Sequence, residues 1–234
     1  MVLILNCFID DQFAKSFDEA VIRQLAGCNK KCNFVRAINM KEAENSLQDL
    51  DTYTHLIISG SEASTLEDSG WEKKLETIVV DFISRSKAVL GICYGHQFIV
   101  RSIAGKNFIR KAQKPEMGWE MIQLYDNLLF KNIENPVIMV AHYDEVFDLP
   151  EEFKAIATSP HCNIHGFQYK DLPVWGVQFH PEYGLAEGQE IFEVFSKQDK
   201  DFNDWYINNL EKESQLLQNS KFIKNFLNSD YKSI

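Results

Sequence analysis

Unbroken apolar runs alternate with amphipathic stretches over the first 110 residues. MVLILNCF (1–8), NFVRAIN (33–39), THLIISG (54–60) and KAVLGIC (87–93) predict four strands. Between them, FDEAVIRQLAG (17–27) predicts a helix stopped by Gly27, and KEAENSLQDL (41–50) a short one. WEKKLETIVVDFISRS (71–86) predicts a third helix, with apolar residues at 71, 75, 78, 79, 82 and 83. Strands that are apolar throughout, rather than at every second residue, belong to a parallel sheet covered on both faces. After Gly105 the pattern breaks into short strands separated by turns: GWEMIQL, PVIMVA, DEVFDL, KAIATS, HGFQYK and VWGVQF. These predict antiparallel additions. From Gly184 onward helical spacing returns among many charges, which predicts one or two amphipathic helices on the domain edge. The expected architecture is therefore α/β, a mostly parallel open sheet with helices on both faces, added antiparallel strands and a C-terminal helical extension. With no internal repeat, low-complexity tract or proline-rich linker, residues 1–185 are expected to form one domain on which residues 186–234 pack.

At 234 residues and 45% hydrophobic content the chain is long enough for a sizeable core. Its formal net charge of −10, with no basic run, argues against nucleic acid and anionic membranes as partners and leaves small molecules or proteins. No segment approaches the ~20 apolar residues of a membrane helix. The first residues form too short an apolar stretch for a signal peptide, with acids directly behind it. Five cysteines spread along the chain fit a reducing compartment, so a cytoplasmic protein is expected. Cys28 and Cys32 are spaced C-x3-C without a second pair, so no metal is expected there, and no cofactor motif is present: SIAGKN lacks the leading glycine and hydroxyl residue of a phosphate-binding loop.

The chemistry concentrates in GICYGHQ, residues 91–97. A sharp strand-to-helix turn that presents a nucleophile needs small neighbours, and Gly91 and Gly95 flank Cys93 as glycines flank the serine of a nucleophile elbow. Such a turn aims the first N–H groups of the next helix at the sulfur, favouring thiolate and a developing oxyanion. The bland reading is a buried structural cysteine with incidental glycines.

A thiol nucleophile needs a base, and the base an orienting acceptor. Of six histidines, His55 reads as a strand-start residue, His96 as part of the elbow helix, and His161 and His165 as solvated loop residues. His180 differs. VWGVQFHPE ends a strand in histidine, and Glu182 two residues on faces the same side of an extended segment, within reach of one ring nitrogen.

Together, GICYGHQ and GVQFHPE resemble the class I glutamine amidotransferases, the triad-type glutaminase family, over most of residues 1–185. The resemblance implies a flavodoxin-like sheet. It implies that Cys93 attacks the side-chain carboxamide of glutamine to give a γ-glutamyl thioester and ammonia, that His180 shuttles the proton and that Glu182 orients His180. It implies oxyanion donors at Gly60, in IISGSEAS, and at Tyr94, and substrate contacts at Gln97 and, from AHYDEV, at His142 and Tyr143. The chain departs from the family where Ser61-Glu62 follow Gly60 in place of glycine and proline, and where Tyr143 replaces a glycine.

Two enzymatic readings share all chemistry up to the thioester. One is a glutaminase that passes ammonia to a partner synthetase; the other is a γ-glutamyl peptidase that acts alone with water as acceptor. A non-catalytic regulatory homologue would have no chemical reason to keep Cys93, His180 and Glu182 together. Asp10 and Asp11 read as turn or helix-start residues, and Gly118 with Trp119 as a turn glycine beside a packed tryptophan.

Overall fold

A computed structural model describes residues 1–229 except 27, 41–46 and 48. The helix expected across 41–50 and the stop expected at Gly27 lie largely outside the described residues. Strands β1 (Val2–Asn6), β2 (Cys32–Arg36), β3 (His55–Ile58) and β4 (Ala88–Ile92) fall where the apolar runs place them. So do helices α2 (Glu72–Ser84) and α3 (Tyr94–Ala104), whereas α1 (Asp11–Leu25) starts six residues before the expected Phe17, because Asp10 caps it. They are followed by β5 (Ile109–Met121), β6 (Gln123–Leu124), β7 (Val137–Val146), β8 (Phe153–Thr158), β9 (Gly166–Tyr169) and β10 (Val174–Val177). The chain continues with α4 (Leu185–Gln198), α5 (Phe202–Trp205), β11 (Tyr206–Asn208) and α6 (Ser220–Leu227).

Eight strands form one sheet in the order β2-β1-β3-β4-β10-β9-β8-β6. The first five run parallel, and β9, β8 and β6 add on antiparallel. Every residue of β1, β3, β4 and β10 is buried, whereas the edge strand β2 is mostly half-buried. Alternate residues of the inner strands serve two cores, as the two-residue period of a strand requires. Val2, Ile4, Ile57 and Leu90 pack with α1 and α6 on one face; Leu3, Leu5, Leu56 and Val89 pack with α2 and α3 on the other.

Asp10 caps α1, accepting from Gln12 N at 2.8 Å and Phe13 N at 3.2 Å. Asp11 pairs with Arg36 at 3.0 Å. Both fill the structural roles expected of them. Asp10→Ala is expected to lower the unfolding free energy by about 1 kcal/mol, read from the midpoint of urea unfolding at constant slope.

The region after Gly105 is more extended than its pattern indicates. PVIMVA and DEVFDL do not form two strands: β7 runs through His142 and Tyr143 without a break and pairs antiparallel with the long β5. With β11 these strands make a separate three-stranded sheet. The tail is thus not helical throughout. Gly118 is a strand residue rather than a turn residue. Its φ is +125°, and a Cβ there would lie 2.0 Å from Ile207 O, so only glycine lets β11 pair at this position. Trp119 packs as expected, against Gly188 and the edge of Phe192. Helix α6 closes the α1 face with Phe222, Ile223 and Phe226. Among the described residues no helix is long and apolar enough to cross a membrane.

Candidate active site

Cys93 stands between the C-terminal end of β4 and the start of α3, with φ +50° and ψ −101°. A non-glycine residue in that region is strained, and the surrounding backbone holds it there. Cys93 N donates to Val177 O at 2.8 Å and Gly95 N to Ser59 O at 3.1 Å, tying the turn to both neighbouring strands. The flanking glycines are steric necessities. A Cβ on Gly91 would lie 2.3 Å from Gly95 O, and one on Gly95 would lie 2.5 Å from Ile58 O.

His180 follows β10 and pairs its backbone with Met139 of β7, N to O at 2.8 Å. Its Nδ1 donates to Glu182 Oε1 at 2.8 Å, and its ring lies beside Cys93, whose thiol donates to Ala141 O at 3.7 Å. Both His180 and Glu182 are buried. Gln24 fixes the bend between them, donating to Pro181 O at 2.8 Å and Glu182 O at 3.0 Å. Burial alone would pull the His180 imidazole down, but the Glu182 carboxylate and the Cys93 sulfur outweigh it and raise the ring to about 10. An imidazolium beside the sulfur is the electrostatic partner a thiolate needs.

Gly60 crowds the same point, since a Cβ there would sit 3.0 Å from His180 Cε1 and 3.6 Å from Cys93 Cβ. Among the described residues neither Gly60 N nor Tyr94 N donates to a backbone acceptor outside its own helix or strand. The departure at Ser61-Glu62 has a local reason. Glu62 accepts from Ile9 N at 2.8 Å and Asp10 N at 3.1 Å, and Ser61 Oγ donates to Cys7 O at 2.7 Å. Side-chain bonds to the β1–α1 loop thus hold a turn that proline would otherwise stiffen.

A cavity of about 370 Å³ opens in front of Cys93, bordered by Glu62, Lys111, Tyr143, Asp144 and Phe195. On the His180 side lies a small, largely apolar recess of about 40 Å³, lined by Phe8, Phe13, Met139 and Ile191. Gln97 reaches the cavity wall, but its amide is already engaged, donating to Asp144 O at 2.8 Å and to Gln178 Oε1 at 3.0 Å. Tyr143 OH donates to Asp199 at 2.8 Å, and its ring meets the edge of Trp205. The His142 side chain turns away from Cys93, towards Glu116 at 2.8 Å, so that mainly its backbone is left to the cavity.

Sequence reasoning missed Asp144, which is buried, paired with Lys111 at 3.0 Å and bonded by Ser64 Oγ. It also misplaced His165, which is fully buried rather than solvated because its backbone bonds to Ala157 and Gln178 and its ring to Glu116. His55 does start β3 and is buried, and His96 lies inside α3, its ring tilted against that of Phe167.

The family model for glutamine amidotransferase class-I matches residues 9–198. A glutamine-hydrolyzing GMP synthase component from Pyrococcus abyssi, named as one of that enzyme's subunits, is 33% identical over 154 residues, covering 64% of this chain and 79% of that protein. Gamma-glutamyl peptidase 3 of Arabidopsis thaliana is 36% identical over 158 residues, 64% of this chain and 61% of its own length. A crystal structure of a glutamine amidotransferase from Thermotoga maritima superposes with a TM-score of 0.71 at 18% identity, covering 97% of this chain and 95% of that one. That last likeness establishes the fold.

Proposed function

The chain belongs to the class I glutamine amidotransferases, and from that premise we propose that it hydrolyses the side-chain amide of glutamine through Cys93 and delivers ammonia to a partner synthetase. The observation that carries this reading is the His180 imidazole, held between the Glu182 carboxylate and the Cys93 sulfur. In this scheme the sulfur attacks the carboxamide carbon while Gly60 N–H and Tyr94 N–H receive the charge on oxygen. The C–N bond then breaks, and His180 gives its proton to the departing ammonia. Water, deprotonated by His180, splits the thioester and frees glutamate. Glu182 keeps the ring oriented through both steps.

The electrostatics of the cavity support an amino-acid substrate. Lys111, paired with Asp144, also presents its cation to an α-carboxylate, and Asp199, which accepts from Tyr143 OH, presents a carboxylate to an α-ammonium. Gln97, with its amide engaged, supports the Asp144 backbone, while Tyr143 and the backbone of His142 border the cavity. We also assign residues 186–234 to the same domain, since α4 contributes Phe195 to the cavity and α6 contributes to the shared core. A synthetase partner is supported by the relatives whose names make them one component of a GMP synthase.

The identity to a protein named γ-glutamyl peptidase supports a second reading, in which the leaving group is an amine and no partner is needed. The small, largely apolar recess on the His180 side, lined by Phe13 and Ile191, suits ammonia as the leaving group better than a bulky amine. Mass-spectrometric turnover of glutamine and of a panel of γ-glutamyl peptides by the purified chain separates the two. Glutamine turnover, or silence with a thiol that reacts with an electrophilic glutamine analogue, is the expected result. Cys93-dependent cleavage of peptides in preference to glutamine would establish the peptidase instead.

A further inference from the structure

Four chemistry-bearing side chains that the proposed reaction does not use meet in the interior behind the cavity. They are Glu116 of β5, His142 of β7, and Cys162 and His165 of the loop joining β8 to β9. Each offers one donor atom, and all four donors lie within 4.8 Å of one another. None of the four residues is more than 3% exposed. We propose that this cluster is a zinc(II) site, with His142 Nε2, His165 Nε2, a Glu116 oxygen and Cys162 Sγ as ligands. It would staple the three-stranded sheet to the antiparallel edge of the large one.

The hydrogen bonds around the cluster are those of a metal's outer shell. His142 Nδ1 lies 3.1 Å from Asp144 O, a carbonyl that can only accept, so Nδ1 carries the hydrogen. In the neutral ring Nε2 is then a bare lone pair, and it faces Glu116 Oε2 at 2.8 Å. Two acceptors facing each other in the interior need a proton or a metal cation between or beside them. A histidine whose far nitrogen is pinned by a backbone carbonyl is the usual way in which proteins aim an imidazole at a metal.

Glu116 and His165 complete the donor set. Ser159 Oγ donates to Glu116 Oε1 at 2.6 Å, which orients the carboxylate and leaves Oε2 directed at both histidines. His165 Nε2 lies 2.8 Å from Oε2, while its buried Nδ1 has no partner among the described residues. The donor types also match. Two imidazoles, a thiolate and a carboxylate suit zinc in a closed four-coordinate site, and the two anionic ligands would neutralise a divalent ion buried away from solvent. A proton on His142 would satisfy that one contact only and would give the Cys162 thiol no part in the cluster.

Occupancy would reach the reaction through the backbone. His142 is preceded by Ala141, whose carbonyl lies 3.7 Å from the Cys93 sulfur, and Asp144 O, which anchors His142, also accepts from Gln97. The site would thus hold the cavity wall in place, whichever γ-glutamyl compound is the substrate.

The test is elemental analysis of untagged, folded protein from zinc-replete growth, after dialysis against metal-free buffer, together with the absorption spectrum of the cobalt(II)-substituted chain. About one zinc per chain is expected, as is a sulfur-to-cobalt charge-transfer band. Zinc content is expected to fall at least tenfold in His165→Ala and the cobalt band to vanish in Cys162→Ser. Both signals should survive Cys28→Ser with Cys32→Ser, which removes the other close thiols. A folded wild-type chain that neither retains zinc nor takes up cobalt overturns the proposal and leaves a hydrogen-bonded network. So does metal that is unchanged in the folded variants or lost with Cys28 and Cys32. Because a folded wild-type chain that binds neither metal already overturns the proposal, that result does not depend on any variant folding.

Discussion

Cys93→Ala is expected to abolish turnover of glutamine, by at least about 10⁴-fold, while leaving the fold in place. The chemical half follows from the reaction: without the sulfur no thioester forms, and water must attack an unactivated amide. The structural half follows from the turn. Alanine removes one buried atom from a position whose φ of +50° is imposed by Val177 O, Ser59 O and the glycines on either side, so the conformation does not depend on the thiol. An unchanged circular dichroism spectrum and a melting temperature within a few degrees of wild type would accompany the loss. Labelling by an electrophilic glutamine analogue is the sharper readout, because it needs the nucleophile and the cavity but no acceptor. A single adduct on Cys93, absent from Cys93→Ala, is expected. Cys7 and Cys162 have no exposed surface to compete for the reagent, and burial pushes the Cys32 thiol up. Residual turnover near the wild-type rate would remove Cys93 from the mechanism.

The parts of this molecule that could be read in the sequence are those whose neighbours along the chain determine them. The inner parallel strands are buried on both faces, so each appears as a continuous apolar run, and α2 shows its period because one face alone packs on the sheet. The elbow shows because steric crowding within five residues requires Gly91 and Gly95. What could not be read depends on pairing between distant segments. β11 joins β5 only because Gly118 gives Ile207 room, and nothing in YIN itself distinguishes it from the helical residues around it. Glu116 and His165 are 49 positions apart and meet through the fold of two sheets, so no ligand spacing appears in the sequence. His165 reads as solvated because its loop is polar, yet its ring is buried and its Nε2 is bonded to Glu116. At the cavity, Asp144 was hidden in a strand pattern broken by His142 and Tyr143. A carboxylate paired with Lys111 across an irregular ladder has no local signature.

His180→Ala is expected to lower kcat/KM by about 10³-fold or more, and Glu182→Gln by about 10- to 100-fold, because the carboxylate acts only through the ring. The pH profiles should separate the two roles. The imidazole is raised from its ordinary value of 6.5 to about 10 chiefly against the pull of burial, with Glu182 the largest favourable influence. Since the protonated ring must supply the leaving ammonia, the alkaline limb of kcat/KM should reflect that raised value in the wild type. Glu182→Gln removes the carboxylate's charge, so the limb should move to lower pH. Stability carries the same sign. A group raised on folding contributes stability that is complete below 6.5 and is lost as the pH climbs through about 10, so the wild type should lose stability across that window. Glu182→Gln should lose less there, because its imidazole is held less far above 6.5. If the limb stays where it was while the rate falls, Glu182 supports the chain at Pro181 rather than the charge on His180. If Glu182→Gln costs more than His180→Ala, base and orienting residue are assigned the wrong way round.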